Sequence, residues 1–364
     1  MSASVNMLDI AEFYRSEGLR VIPLKPRSKE PLVRWKKYQN QEPTEDELRR
    51  WFEDKTPEDV GIGIIVGVND VVVLDIEDTR CYELFFDESI EELAKKTWIC
   101  KTGKGYHIYF KYNGDAKNIK AERVAEIRAK NVICATAPSY HPNGNRYEYI
   151  SDIKKVQIAS IDVAAYTELY GKIELIRKHF DWLTRIYPYW IEGCRHDLAL
   201  YLAGALRKME LTIDECKTLT KLICILSNDE EIKDRIRAVE DTYAKPESDI
   251  AGLSRVEEVL SLVAGDEKAR EIIERINRAF GKRSVKRSEK KKEVSDDEII
   301  DYYLSHKKVI KVHPSIDVLD DKLIMGVYLE GADGTLFITE NELITVPKYG
   351  KELNKGSAPV KNCC

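Results

Sequence analysis

The stretch VVVLDIED, residues 71 to 78, sets three carboxylates at the end of an apolar run. Burying a carboxylate is costly unless it is paired or bound to a metal. On a strand, Val71, Val73, Asp75 and Glu77 share one face, while Leu74, Ile76 and Asp78 take the other. Asp75 and Glu77 therefore project side by side, and both stay charged most easily with a cation between them. Hard oxygen donors without Cys or His favour Mg²⁺ or Mn²⁺ over zinc. A strand that simply emerges into water would carry the same pair. Asp78, on the opposite face, reads as surface.

Two further stretches carry chemistry. In TGKGYHIYF (102 to 110), Tyr106, Ile108 and Phe110 line one face, and His107 and Tyr109 the other. A Gly-rich turn opening into that strand can present the imidazole, with Lys101 or Lys104, to a phosphate. A satisfied strand histidine is the plain alternative. In VAEIRAK, Val124, Glu126 and Arg128 share a face. Arg suits bidentate phosphate binding, and a third carboxylate would complete a two-metal cage. A surface Glu–Arg pair would look the same.

The elements that must position these residues fall into two blocks. Up to about residue 172 the chain alternates helices and β-rich runs. MLDIAEFYRSEGL has helical spacing, and Gly18 stops it. RVIPLKP is a short strand, and Thr44 with Glu47 forms a capping box before the next helix. GIGIIVG and DVVVLDIE read as two strands joined through Gly67 and Asn69-Asp70, a hairpin or tight turn. WICKTGKGYHIYFKY supplies two more strands, and VAEIRAKNVICATAPS with NRYEYI a further pair. This is an α+β catalytic unit with mixed β-sheets and flanking helices. Residues 173–280 read as a helix bundle, with a stripe of Leu198, Leu202, Ala205 and Leu206 and a second capping box, Thr212 with Glu215. The charged run 281–295 reads as a linker. Residues 296–364 read as a small C-terminal α/β module, with a helix over SDDEIIDYYLSH and strands around LIMGVYLE and GTLFITENELI.

Composition sets outer limits. The 364 residues are 43% apolar and 33% charged, which makes cores for two or three domains. The net charge of -5 excludes a uniformly basic nucleic-acid coat but allows a local basic groove. No run reaches the ~20 apolar residues of a membrane span. The N-terminus lacks a signal-peptide pattern, so a cytoplasmic protein is expected. Eight cysteines include no C-x-x-C, which points to reduced thiols rather than a zinc ribbon. No P-loop sequence is present, so the chain is not expected to translocate on DNA by itself.

In order, the strand ending D-x-E, the small-x-His strand and the apolar-acid strand resemble the three motifs of the archaeo-eukaryotic primase superfamily. The likeness is to the bifunctional primase/polymerase (prim-pol) domain of plasmid and viral replication proteins. It extends over roughly residues 8 to 150, through GLRVIPLKPRSKEPLVRWKKYQ with Lys29, Glu30, Pro31 and Trp35, and through ATAPSYHPNGNRYEYI with Pro138, Ser139, Gly144 and Tyr147. The sequence departs from that pattern at Glu126, where the family mostly has Asp. It also lacks the zinc-binding insertion of some plasmid relatives; Cys100, Cys134, His107 and His141 are too dispersed for one. YPYWIEGCRHDLALYLAGALRKMELT and NDEEIKDRIRAVEDTYAK resemble the helix bundle found beside prim-pol domains.

The resemblance implies a DNA primase/polymerase acting on a single-stranded DNA template with dNTP and NTP or ATP as substrates. Asp75, Glu77 and Glu126 would hold two Mg²⁺ or Mn²⁺ ions roughly 3.5–4 Å apart. His107 would contact the incoming triphosphate, with Arg128, Lys101 and Lys104 as further candidates. Arg195 and His196, at the start of a bundle helix, would touch template or initiating nucleotide. Lys25, Arg27, Lys29, Arg34, Lys36 and Lys37 form a basic run suited to a nucleic-acid backbone or to solvent. A helicase module or partner accompanies many such proteins. Two other readings remain: a metal-dependent nuclease using the same three carboxylates, and a non-catalytic replication protein, with the bundle as the working part, that binds template and ATP.

Overall fold

The computed structural model describes residues 6–281 and five strand segments beyond them, 309–319, 322–331, 334–339, 342–346 and 354–359. The remainder of the 281–295 linker and the helix expected over SDDEIIDYYLSH lie outside the described residues. The chain opens with helix α1 (Met7–Ser16), capped by Asn6, then strand β1 (Arg20–Leu24). Helix α2 (Glu45–Phe52) starts from the expected Thr44–Glu47 capping box, in which both reciprocal hydrogen bonds form. Strands β2 (Gly61–Val66) and β3 (Val71–Ile76) follow, then the short helix α3 (Ile90–Ala94), β4 (Ile99–Lys101) and β5 (Tyr106–Lys111). β6 (Ile119–Ala121), β7 (Ala125–Arg128), β8 (Val132–Thr136) and β9 (Glu148–Tyr149) complete the unit.

These strands form two sheets, both wholly antiparallel: β1-β2-β8, and β6-β7-β3-β5-β4-β9. Of the hairpin or tight turn expected between β2 and β3, the turn is found and the hairpin is not. The tight turn forms, with the Gly67 amide bonded to the Val71 carbonyl at 2.9 Å, but the two strands leave it into different sheets. The expected strand pair in VAEIRAKNVICATAPS and NRYEYI is likewise split, since β7 joins the six-stranded sheet beside β3, β8 joins the three-stranded one, and β9 pairs with β4.

The six-stranded sheet buries both faces. Val72, Leu74, Ile76, Ile108, Phe110 and Ile127 face a core shared with the helical region. Val71, Val73, Trp98, Cys100 and Tyr109 face a second core, closed by the three-stranded sheet, α1 and α2. Alternation along β3 thus feeds two cores at once, and the polar end of one face is where the site begins.

The helical region comprises α4 (Val163–Ile186), α5 (Arg195–Arg207), α6 (Ile213–Ser227), α7 (Ile232–Ala244), α8 (Leu253–Ala264) and α9 (Asp266–Ala279). α4 packs on β6 and β7 at one end and on α6 and α9 at the other, so it runs through residue 172 without a break. A polar tie adds to the shared core. Asp78 accepts from the Arg80 guanidinium, which donates onward to the Ile225 carbonyl at 3.1 Å and to Asn228 Oδ1 at 2.6 Å, at the C-terminus of α6. Asp78, which reads as surface in the sequence, therefore anchors the bundle to the end of β3. Arg80 is half-exposed, which discounts the tie; Arg80→Ala is expected to lower stability by about 1 kcal/mol in thermal or denaturant unfolding.

The last five strands, β10 (Val309–Leu319), β11 (Lys322–Gly331), β12 (Gly334–Thr339), β13 (Glu342–Val346) and β14 (Asn354–Pro359), pair in chain order as an antiparallel meander. Among the described residues no helix is long and apolar enough to cross a membrane.

Candidate active site

β3 lies between β7 and β5, and the pairing register brings the three sequence-remote stretches into one line. Asp75 is opposite His107 on one side and Glu126 on the other. The row continues to Lys120 on β6, and to Cys100 on β4 and Tyr149 on β9. Paired residues share a face, so Lys120, Glu126, Asp75, His107, Cys100 and Tyr149 stand in a single rank. Its Cys100 and Tyr149 end packs in the core between the two sheets, while Glu126 is half-buried and Lys120 exposed.

The close approach at the β3 terminus depends on one residue. A Cβ on Gly105 would lie 1.8 Å from the Ile76 carbonyl oxygen, so only glycine lets the 102–105 turn reach the strand end. Gly105→Ala is expected to cost about 3 kcal/mol or more, measured by denaturant unfolding, because backbone has to move between His107 and Asp75.

Asp75 and His107 are buried, 6% and 3% exposed, while Glu126, Arg128 and Glu77 are half-buried. Arg128 donates to Asp75 Oδ2 from Nε at 3.1 Å and from Nη2 at 2.8 Å, and Nη2 stands 3.1 Å from Glu126 Oε2. His107 Nε2 lies 3.5 Å from the same Asp75 Oδ2. Burial alone would push the Asp75 carboxyl up. The His107 charge and hydrogen bond, with the charges of Arg128 and Lys29, outweigh it and hold Asp75 below the ordinary carboxylate range. Glu126 goes the other way: burial raises it, Arg128 opposes, and repulsion from Asp75 and Glu77 adds to the rise. Glu77 follows the last residue of β3, and its Oε1 is 3.4 Å from Lys120 Nζ.

Among the described residues, two polar atoms beside this rank are buried without a partner, His107 Nδ1 and Tyr147 Oη, on rings 5.8 Å apart. Such atoms in a native interior call for a ligand or water. Among the described residues no group of three or more His, Cys, Asp or Glu is gathered to hold a metal ion. Arg128 is shared by Asp75 and Glu126, and Lys120 by Glu77 and Glu122. The donor set still suits a hard divalent cation. It is all carboxylate oxygen, and the Arg128 and His107 contacts converge on Asp75 Oδ2, leaving Oδ1 outside them.

Residues 11–162 match the family model for the N-terminal domain of bifunctional DNA primase/polymerases. That segment belongs to the prim-pol family. No curated protein matches the chain at a significant level. The prim-pol segment holds Asp75, Glu77, His107, Glu126 and Arg128, along with both sheets.

The other expected residues scatter more widely. Lys104 is exposed in the prim-pol turn beside His107. Lys101 is opposite Tyr106 in the register, which places it on the sheet face away from His107. Arg195 and His196 lie outside the prim-pol match and open α5, where they line a cavity of about 220 Å³ with Glu192, Gly193, Glu231 and Arg235. Arg195 donates to the Trp190 carbonyl and approaches buried Asp229, and His196 Nδ1 is 3.2 Å from Asp234. Cys134 is core, as its sequence context suggests, with burial pushing its thiol up to about 12. Sequence reading passed over Tyr147 and Lys120 as site residues. Alternation in NRYEYI places Tyr147 with Tyr149, but only the fold carries that face to His107.

Proposed function

We propose that this protein is a DNA primase/polymerase, which makes and extends primers on single-stranded DNA during replication of a plasmid or viral element. The observation that carries the reading is the register of β7, β3 and β5, which sets Glu126, Asp75 and His107 side by side. Asp75, Glu77 and Glu126 would hold two Mg²⁺ or Mn²⁺ ions. Bound there, the ions supply a more acidic 3′-hydroxyl and neutralise the leaving pyrophosphate. Arg128 keeps Asp75 and Glu126 charged and close in register before substrate arrives. His107, fixed between Asp75 and the Tyr147 ring, offers an imidazole to the incoming triphosphate. Burial of Asp75 and His107 keeps bulk water from the carboxylate–imidazole pair, while half-buried Glu126 and exposed Lys120 leave that end of the rank open to substrate.

The helix bundle is read as the grip on template or initiating nucleotide, with Arg195 and His196 at its cavity. A cytoplasmic setting and a helicase module or partner complete the proposal. The test is one incubation with labelled dNTP, ATP, Mg²⁺ or Mn²⁺ and a single-stranded oligonucleotide. Template-dependent product is expected. Degradation without nucleoside triphosphates would make the protein a nuclease. Binding of template and ATP without any product would make it a replication accessory.

A further inference from the structure

Beside His107 the structure gathers two lysines that form no ion pair among the described residues and a second histidine whose Nε2 can donate. Three separate segments contribute. The first is the loop after β1, folded back by the Lys25 amide bonding to the Glu30 carbonyl and by a bridge between Leu24 and Pro31. It carries Lys29. The second is the 102–105 turn, which carries Lys104. The third is the loop between β8 and β9, which carries His141.

The three segments are laced together. Arg27 lies over the Tyr140 ring, 5.4 Å from its centroid, joining the first loop to the third. Asn143 and Asn145 both donate to the Gly103 carbonyl, at 3.2 and 2.9 Å, joining the third to the turn. The His141 ring lies so close over that turn that a Cβ on Gly103 would be 2.6 Å from Nδ1. Tyr147 stands between the two histidines, its ring 5.8 Å from each.

His141 Nδ1 accepts the Asn143 amide hydrogen at 3.2 Å, which assigns the ring proton to Nε2 and makes that nitrogen a donor. Burial lowers the His141 pKa, and the charges of Lys29, Lys104 and His107 lower it further. Lys29 also acts on Asp75. Neither Lys29 nor Lys104 has a carboxylate partner among the described residues, whereas Lys25 pairs with Glu30 and Lys37 with Glu47. Cations held near one another without counter-ions mark a place for an anion.

We propose that Lys29, Lys104 and His141 form, next to His107, the seat of the nucleotide's polyphosphate tail. Lys29 is thereby assigned to the nucleotide rather than to the template backbone. The proposal rests on the nucleotidyl-transfer reading above for the identity of the ligand.

Inorganic tripolyphosphate, titrated calorimetrically into the full chain with Mg²⁺, is the probe that needs no catalysis. Wild-type protein is expected to bind it, and Lys29→Ala/His141→Gln to bind it at least tenfold more weakly, with His141→Gln alone intermediate. In the incorporation assay the double variant should raise KM for dNTP by a similar factor, more than it lowers kcat. Its affinity for a fluorescent single-stranded oligonucleotide should stay within twofold. Circular dichroism melts establish that the variants fold; if the double variant does not, His141→Gln and Lys29→Gln are read singly. No tripolyphosphate binding by wild type, or equal binding by the variants, overturns the seat. Weakened oligonucleotide binding with unchanged dNTP KM also overturns it and returns Lys29 to the template. Wild-type protein that binds tripolyphosphate but incorporates no nucleotide leaves the seat standing and overturns the polymerase reading instead.

Discussion

Asp75→Asn is expected to reduce template-directed nucleotide incorporation by about a thousandfold. The replacement keeps the shape of the side chain and removes its charge, at the centre of the rank where His107 and Glu126 meet. On the proposed two-cation reading, losing a charged oxygen ligand would forfeit several kcal/mol of transition-state stabilisation, and about 4 kcal/mol is a factor of about 10³. Labelled-dNTP incorporation on a single-stranded template reads the effect; more than a tenth of wild-type rate in a folded variant would sink the assignment. The same substitution changes acid stability in a defined direction. Asp75 is depressed in the folded protein, so its contribution is present above the unfolded value of about 4 and lost as pH falls through the lower folded value. Asp75→Asn should therefore flatten the loss of stability below about pH 4, measured by denaturant unfolding across that range.

Arg128→Leu is expected to destabilise the protein by about 3–5 kcal/mol with no nucleotide present. Arg128 is the shared counter-ion of buried Asp75 and half-buried Glu126, which are directly opposite one another on paired strands. Without it, two like charges face each other in the register, and one has no solvent to screen it. A divalent cation should then restore part of the loss. Addition of Mn²⁺ is expected to raise the melting temperature of Arg128→Leu more than that of wild type. Equal stability of the variant and wild type would show that Arg128 is not the acids' counter-ion. An equal Mn²⁺ shift in both would show that these carboxylates do not take up the cation.

Much of this site is legible residue by residue. Alternation in VVVLDIED and TGKGYHIYF separates Asp75 from Ile76 and His107 from Tyr106, and the structure keeps those faces. The two capping boxes form where Thr and Glu stand three apart, because a cap is satisfied within one helical turn. The helical stripe of Tyr166, Leu169, Ile173, Ile176 and Leu183 in α4 is equally local, but a reading led by motifs passes over it. Strand partners are another matter. The turn at Gly67 forms as its sequence suggests, yet β2 and β3 separate, since each finds a better apolar face in a different sheet.

The same division holds for charge. Alternation puts Glu126 and Arg128 on one face without saying whether the guanidinium turns to a phosphate or to Asp75. In the fold it turns to Asp75 and Glu126, because a buried carboxylate draws the nearest cation. Likewise nothing in the chain order brings Lys29, Lys104 and His141 together, and three loops laced by Asn143, Asn145 and Arg27 do.

By itself the sequence singled out the candidate residues and determined on which face of a strand they stand and where helices begin, because these depend on neighbours within a few positions. The tertiary structure alone decided which strands pair and in what register, and so which carboxylate meets which cation. Those choices depend on burying apolar faces across the whole chain, and no local spacing records them.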